Sequence, residues 1–158
     1  MRAYQTLVIT LGRSMLREPV GLFFTLIFPP LLVAILGTIF GNDPTPQFDG
    51  KGFVDATLPA MSSLVVAIMG ILILPATQLQ LRESGALARL RATPLKSWTY
   101  VAADVTVHFL VGMTGVVLAL IVGMLMFGVR AQGSVLLVLV AGACGLIAFL
   151  ALGYALAA

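Results

Sequence analysis

Two residues in this sequence have the types and spacing to do chemistry in an apolar setting, Asp104 and His108. They are the only Asp, Glu, Lys, Arg or His in the run from Trp98 to Phe127, and an ionisable side chain inside such a run is a functional candidate by default. Four apart, they share a helix face and can hydrogen-bond to each other. The pair suits a polar seam or cavity-facing contact that orients helices, or else a substrate or proton contact. A metal site needs more ligands than two, and no further His, Cys pair or carboxylate stands at helical spacing, so no metal is expected. A proton relay needs a longer chain of such groups. No Ser/His/Asp set, HExxH, GxSxG or Walker sequence occurs, so the expectation is no catalytic residue and no enzyme. The stretch Asp49-Gly50-Lys51-Gly52 lacks the spaced first glycine and the Ser/Thr after the lysine that a phosphate loop requires. Cys144 is the single cysteine, so no disulfide or thiolate metal site is available to the chain.

The elements that must position this pair are membrane helices. The sequence is 60% hydrophobic and 9% charged, against about 25% charged residues in soluble domains. Its apolar runs match the ~18–25 residues that cross a bilayer as helices. The chain therefore reads as one all-α integral membrane domain with spans at 20–40, 58–79, 98–127 and 134–158. The N-terminus is no cleavable signal, because its apolar core is too long and no small-x-small site follows it. Residues 1–17 form an amphipathic pattern: Tyr4, Leu7, Val8, Leu11 and Met15 share one stripe, and Arg2, Arg13 and Arg17 gather opposite. Such a helix lies in the membrane interface. Pro29-Pro30 near the middle of the first span predicts a kink that faces protein. Pro59 is placed near the first turn of the second span, where a missing N–H costs little, and Pro75 bends its far end. Asp104 is under two turns from Trp98, within reach of water at headgroup level. Small residues such as Ala141 and Gly145 permit close helix contact.

The net charge of +3 does not imply a nucleic-acid partner, because the basic residues sit between apolar runs and set topology. Arg2, Arg13 and Arg17 precede the first span, and Arg82, Arg89, Arg91 and Lys96 separate the second from the third. The alternate connections hold only Lys51 and Arg130. Both basic segments therefore belong on the cytoplasmic side, with the N-terminus inside.

The connection from Arg82 to Trp98 is the long polar interruption of the second half. Ala86, Leu87 and Leu90 form an apolar strip, Arg82, Glu83, Arg89 and Arg91 present charge, and Thr93-Pro94 stops the helix. On these grounds it is either a docking helix or a solvated loop, and the chain either a transporter part, a membrane scaffold or assembly factor, or a proton-coupled carrier using Asp104 and His108. The residues from Arg82 to Pro94 also resemble the RE-x-G-x-L-x-R-L-x-x-T-P signature of ABC-2 type transporter permeases, especially bacterial drug or antibiotic exporters. Phe53 to Met61 resembles that family's lead into the second span, and Gly153 to Ala157 its fourth-span ending.

The resemblance implies a type V exporter-like transmembrane subunit in the bacterial inner membrane, moving a lipophilic or amphipathic substrate such as a drug or antibiotic. It implies a partner of two cytosolic ABC ATPase subunits, which carry the ATP and magnesium, and a second permease copy or sister subunit. It makes 82–93 a coupling helix, with Arg82, Glu83, Leu87, Arg89, Leu90, Arg91 and Pro94 as candidate ATPase contacts. Members of the family usually have six spans, so the chain reads as the N-terminal part of such a domain.

Overall fold

The computed structural model describes residues 2–91, 96–129 and 135–157. Among them the regular structure is entirely helical. Helix α1 (Arg2–Met15) is followed by α2 (Pro19–Phe40), α3 (Phe53–Glu83), the short α4 (Ala86–Arg91), α5 (Ser97–Phe127) and α6 (Val135–Ala157). Four of these, α2, α3, α5 and α6, are long and apolar enough to cross a membrane. Helices α3 and α5 each run for 31 residues, about 46 Å at 1.5 Å per residue. That exceeds a hydrocarbon layer of about 30 Å, so both tilt or project beyond it.

Helix α5 is the hub, packed against α1, α2, α3 and α6. Its inner face is built from small residues: Ala103, Gly112, Gly115, Ala119 and Gly123 are all buried, which lets neighbouring backbones approach closely. The core around it holds Val65, Met69, Leu74, Val116, Leu146 and Leu150. Outward-facing Leu136, Leu137, Ile147, Leu152 and Leu156 leave most of α6 uncovered by the rest of the chain.

The stripe read from residues 1–17 is the inward face of α1. Val8, Leu11 and Met15 pack onto the core, and the Tyr4 hydroxyl meets Thr106 Oγ1 of α5 at 2.8 Å. Helix α1 thus lays its apolar side along α5, while Arg13 and Arg17 stay exposed.

The prolines act differently from a simple kink. In α2 the turn Phe23–Ile27 widens to π geometry, with the Phe28 N–H reaching back to the Phe23 carbonyl. In α3 the turn Ile68–Ile73 does the same, with the Leu74 N–H on the Met69 carbonyl. Each widened turn ends two residues before a proline, Pro29 or Pro75. Proline supplies no N–H, so Pro29 and Pro30 leave Thr25 without its i+4 and i+5 donors, and Pro75 leaves Gly70 without its i+5 donor. Both carbonyls are aimed at a glycine on the next helix: Thr25 at Gly115 of α5, and Gly70 at Gly153 of α6. At neither glycine is there room for a methyl group. Pro29 is fully buried, so this distortion faces protein, as the sequence predicts.

The second span differs from its predicted limits of 58–79. The helix begins at Phe53, so Pro59 lies inside it rather than at its opening. Asn42 explains the early start. Its Oδ1 accepts the Asp55 N–H at 3.1 Å, satisfying one of the free amides of the first turn. Its Nδ2 donates to the Phe127 carbonyl at 3.0 Å, tying the connection to the end of α5. At the other end α3 continues through Arg82 and Glu83, which belong to the long helix and not to the predicted 82–93 segment. Ser84 and Gly85 break the chain, Gly85 in the left-handed region at φ +68°, where glycine has no steric penalty. The short helix α4 then starts at Ala86. The predicted stop at Thr93-Pro94, the turn at Arg130, and Ser134 and Ala158 at the ends of the fourth span lie outside the described residues.

Candidate functional site

The alternating direction of the long helices brings the end of α3, the start of α5 and the end of α6 to one level, at the end that also carries α1 and α4. Polar side chains from all three helices meet there. Asp104 is 1% exposed and His108 2%, so the pair sits among helices and not in interfacial water as its closeness to Trp98 suggests. The His108 Nδ1 lies 3.0 Å from the Asp104 carbonyl oxygen and 3.5 Å from its Oδ1. Both neighbours are acceptors, so Nδ1 carries the proton. In the neutral ring Nε2 is then an acceptor.

Gln78 of α3 donates from Nε2 to Asp104 Oδ2 at 2.8 Å. Its Oε1 accepts from the Tyr100 hydroxyl at 3.3 Å, which fixes the sense of the amide. The Tyr154 hydroxyl of α6 donates to the same Asp104 oxygen. One carboxylate therefore collects hydrogen bonds from two neighbouring helices, α3 and α6, with His108 of its own helix 3.5 Å from Oδ1, the arrangement that makes a buried charge tolerable. Among the described residues no lysine or arginine lies within ion-pair distance of it; His108 is the basic group at hand. No group of three or more His, Cys, Asp or Glu among the described residues could hold a metal ion.

Beside this cluster a cleft of ≈ 410 Å³ opens between the end of α1, the end of α3 and α5. Asp104 and His108 line its inner part, with Thr77 and Gln80 on the α3 side and Ser14 and Glu18 on the α1 side. The His108 Nε2 is buried and has no partner among the described residues.

The sequence singled out Asp104 and His108, and the structure brings them together. It did not assemble Gln78, Tyr100 and Tyr154 around them. A signal existed: each is a polar residue near the end of an apolar run, and alternation of up and down spans puts those ends on the same side. What the sequence lacked was the rotation of each helix about its axis, which decides whether such a residue faces inward.

The candidate contact residues of the polar connection divide between two helices. Arg82 and Glu83 are exposed on the last turn of α3, while Leu87 is half-buried and Arg89 exposed on α4. The Leu90 and Arg91 side chains and the whole of Pro94 lie outside the described residues. The break at Ser84-Gly85 sets α4 off from α3, yet the Arg89 N–H still reaches the Gly85 carbonyl at 3.2 Å, so α4 begins directly at the glycine.

Neither the curated proteins nor the solved structures gave a match to this chain. The family model for ABC-2 type transporters matches residues 2–158. Together with four membrane-crossing helices, a basic amphipathic α1 and a short charged helix between the second and third spans, that match shows that the chain belongs to the ABC-2 type transporter family and is a multi-pass membrane permease.

Proposed function

We propose that this permease is the transmembrane subunit of an ATP-driven exporter, driven through α4 by a separate ATPase. ABC-2 permeases normally work with a cytosolic ABC ATPase. The observation that carries the reading is mechanical. Helix α4 hangs between the two 31-residue helices, attached to α3 at a glycine with φ +68°, and those helices are joined below it by the Gln78–Asp104 hydrogen bond. A push on α4 is thereby delivered to α3 and α5 together, and through Tyr154 to α6.

In this reading the end carrying α1 and α4 is cytoplasmic, in keeping with Arg13, Arg17, Arg82 and Arg89 and the positive-inside bias. The membrane is the bacterial inner membrane, and α1 lies in its cytoplasmic interface. Two ATPase copies, holding ATP and magnesium, serve a pair of permease subunits, either two copies of this chain or this chain and a sister. The cargo is lipophilic or amphipathic, such as a drug or antibiotic. At the ATPase surface Glu83 and Arg89 set the register of docking and Leu87 anchors it, with Arg82, Leu90, Arg91 and Pro94 completing the contact.

The test is ATPase stimulation in proteoliposomes by wild type, Glu83→Ala and Leu87→Glu permease, with insertion checked separately. Both variants insert normally and lose stimulation. Full stimulation by both would reject docking through this segment.

A further inference from the structure

The cleft beside Asp104 is closed at its inner end and charged at its mouth. Asp104 and His108 are both buried and lie 3.5 Å from each other, so they form a floor that a ligand does not enter. Leu11, Met15, Leu81 and Val107 give the cleft apolar walls. The charges left open to a ligand are Arg17, which is exposed, and Glu18, which is half-buried. Neither is in an ion pair among the described residues. Glu18 stands at the N-cap of α2, yet its side chain makes no capping hydrogen bond, which leaves the carboxylate uncommitted. Beside them Ser14 and Ser84 add hydroxyl groups and Gln80 an amide. One cation next to one anion selects neither sign alone. Its complement is a head that carries both charges a short link apart, because consecutive Cα atoms are only ~3.8 Å apart.

An apolar path leads away from this mouth. Pro19 lines the cleft, and α2 continues from it with Val20, Phe23 and Ile27 exposed, three and four residues apart and so on one helix face. We infer that the cleft seats the head of a zwitterionic phospholipid with a primary ammonium, phosphatidylethanolamine. Arg17 donates to the phosphate, the ammonium N–H donates to the Glu18 carboxylate, and an acyl chain runs along the exposed face of α2. The volume of ≈ 410 Å³ falls at the small end of ligand sites, about 300–1,000 Å³, which suits a compact head with its chains outside. Phosphatidylcholine carries no N–H on its nitrogen for Glu18, and an anionic head has no positive group to set against it. A seated head bridges the start of α2 to the last turn of α3, the turn from which α4 hangs. The inference goes beyond the permease reading and uses from it only the placement of α1 in the membrane interface, the level at which lipid heads lie.

The test places the protein in nanodiscs of equal parts phosphatidylethanolamine, phosphatidylcholine and phosphatidylglycerol with identical chains, extracts it into mild detergent, and counts retained lipid by native mass spectrometry. The expected result is retained phosphatidylethanolamine, enriched over phosphatidylcholine about two- to five-fold, the worth of one partly exposed charge pair. Glu18→Gln removes the preference between these two lipids, whereas Arg17→Ala lowers the retention of both alike. Ser14→Trp obstructs the cleft from an exposed position on α1 and abolishes retention. Arg13→Ala, exposed on α1 but not on the lining of the cleft, changes nothing. No retained lipid, equal retention of phosphatidylethanolamine and phosphatidylcholine, a preference for phosphatidylglycerol, or a loss in Arg13→Ala as large as in Arg17→Ala would each overturn the assignment. The assay contains no ATPase, so a failure here leaves coupling through α4 to its own experiment, and a failure there leaves the cleft.

Discussion

The pairing of a proline-freed carbonyl with a glycine on the next helix makes a sharp prediction at Gly153. A methyl group added there would fall on the Gly70 carbonyl oxygen, 3.1 Å from the carbonyl carbon and 3.3 Å from Leu74 Cδ2. The obstacle is backbone, so no rotamer change relieves it: α6 must move off α3, or the widened turn at Ile68–Ile73 must rearrange. Overpacking of this kind costs about 1–3 kcal/mol, and contact with an immovable carbonyl belongs at the upper end. Replacing glycine by alanine within a helix returns about 1 kcal/mol of propensity, so Gly153→Ala loses about 2 kcal/mol net.

Gly145 is the matched control on the same helix. Its added methyl would meet only Val66 Cγ1 at 3.6 Å, ordinary van der Waals contact, so Gly145→Ala is neutral or slightly stabilising. A second arm tests the cause. Pro75→Ala restores an N–H that draws the Gly70 carbonyl back into the helix, and it relieves part of the Gly153→Ala loss, a coupling of about 1 kcal/mol. The assay is reversible unfolding of purified protein in mixed micelles by titration with SDS, followed by Trp98 fluorescence and helical circular dichroism. Equal stability of Gly153→Ala and Gly145→Ala, or strict additivity with Pro75→Ala, would refute the reasoning.

At the buried cluster, Asp104→Leu strands the donors of Gln78 and Tyr154 and loses about 3 kcal/mol or more, whereas Tyr154→Phe removes a single donor and loses about 1–2 kcal/mol; the same SDS titration ranks them, and an inverted order would show that the carboxylate is not the organising acceptor. At the opposite end, Asn42→Ala frees the Asp55 amide and the Phe127 carbonyl and costs about 1–2 kcal/mol. Limited proteolysis then cuts the connection between residues 41 and 52 faster than in wild type, and an unchanged rate would mean that Asn42 does not hold it.

Much of the architecture follows from the linear sequence for a simple reason. Water is absent from the hydrocarbon layer, so a run such as Val20 to Phe40 must satisfy its backbone internally as a helix, and the run's length and charge flanks are written in one dimension. The same holds for the stripe from Tyr4 to Met15, where a period of 3.6 residues alone marks the inward face. Asp104 and His108 were visible as a pair because four residues along a helix is a local distance.

Other features needed the fold. The early start of α3 at Phe53 depends on Asn42, whose partners Asp55 and Phe127 are brought to it by the packing of α2, α3 and α5. The break at Ser84-Gly85 left Arg82 and Glu83 on the long helix, because continuing α3 through them satisfies backbone amides that a separate cap would otherwise have to serve. The prolines show the division most clearly. Sequence says that Pro29, Pro30 and Pro75 remove donors, but only the packing of α2 on α5 and α3 on α6 decides that the freed carbonyls of Thr25 and Gly70 come to rest on Gly115 and Gly153. In the same way the sequence by itself determined that a carboxylate and an imidazole share one face inside the third span. Tertiary structure decided that Gln78, Tyr100 and Tyr154 close around them and that a cleft opens beside His108, because the rotation of each helix about its own axis is fixed by packing between helices and leaves no trace in the spacing along any one of them.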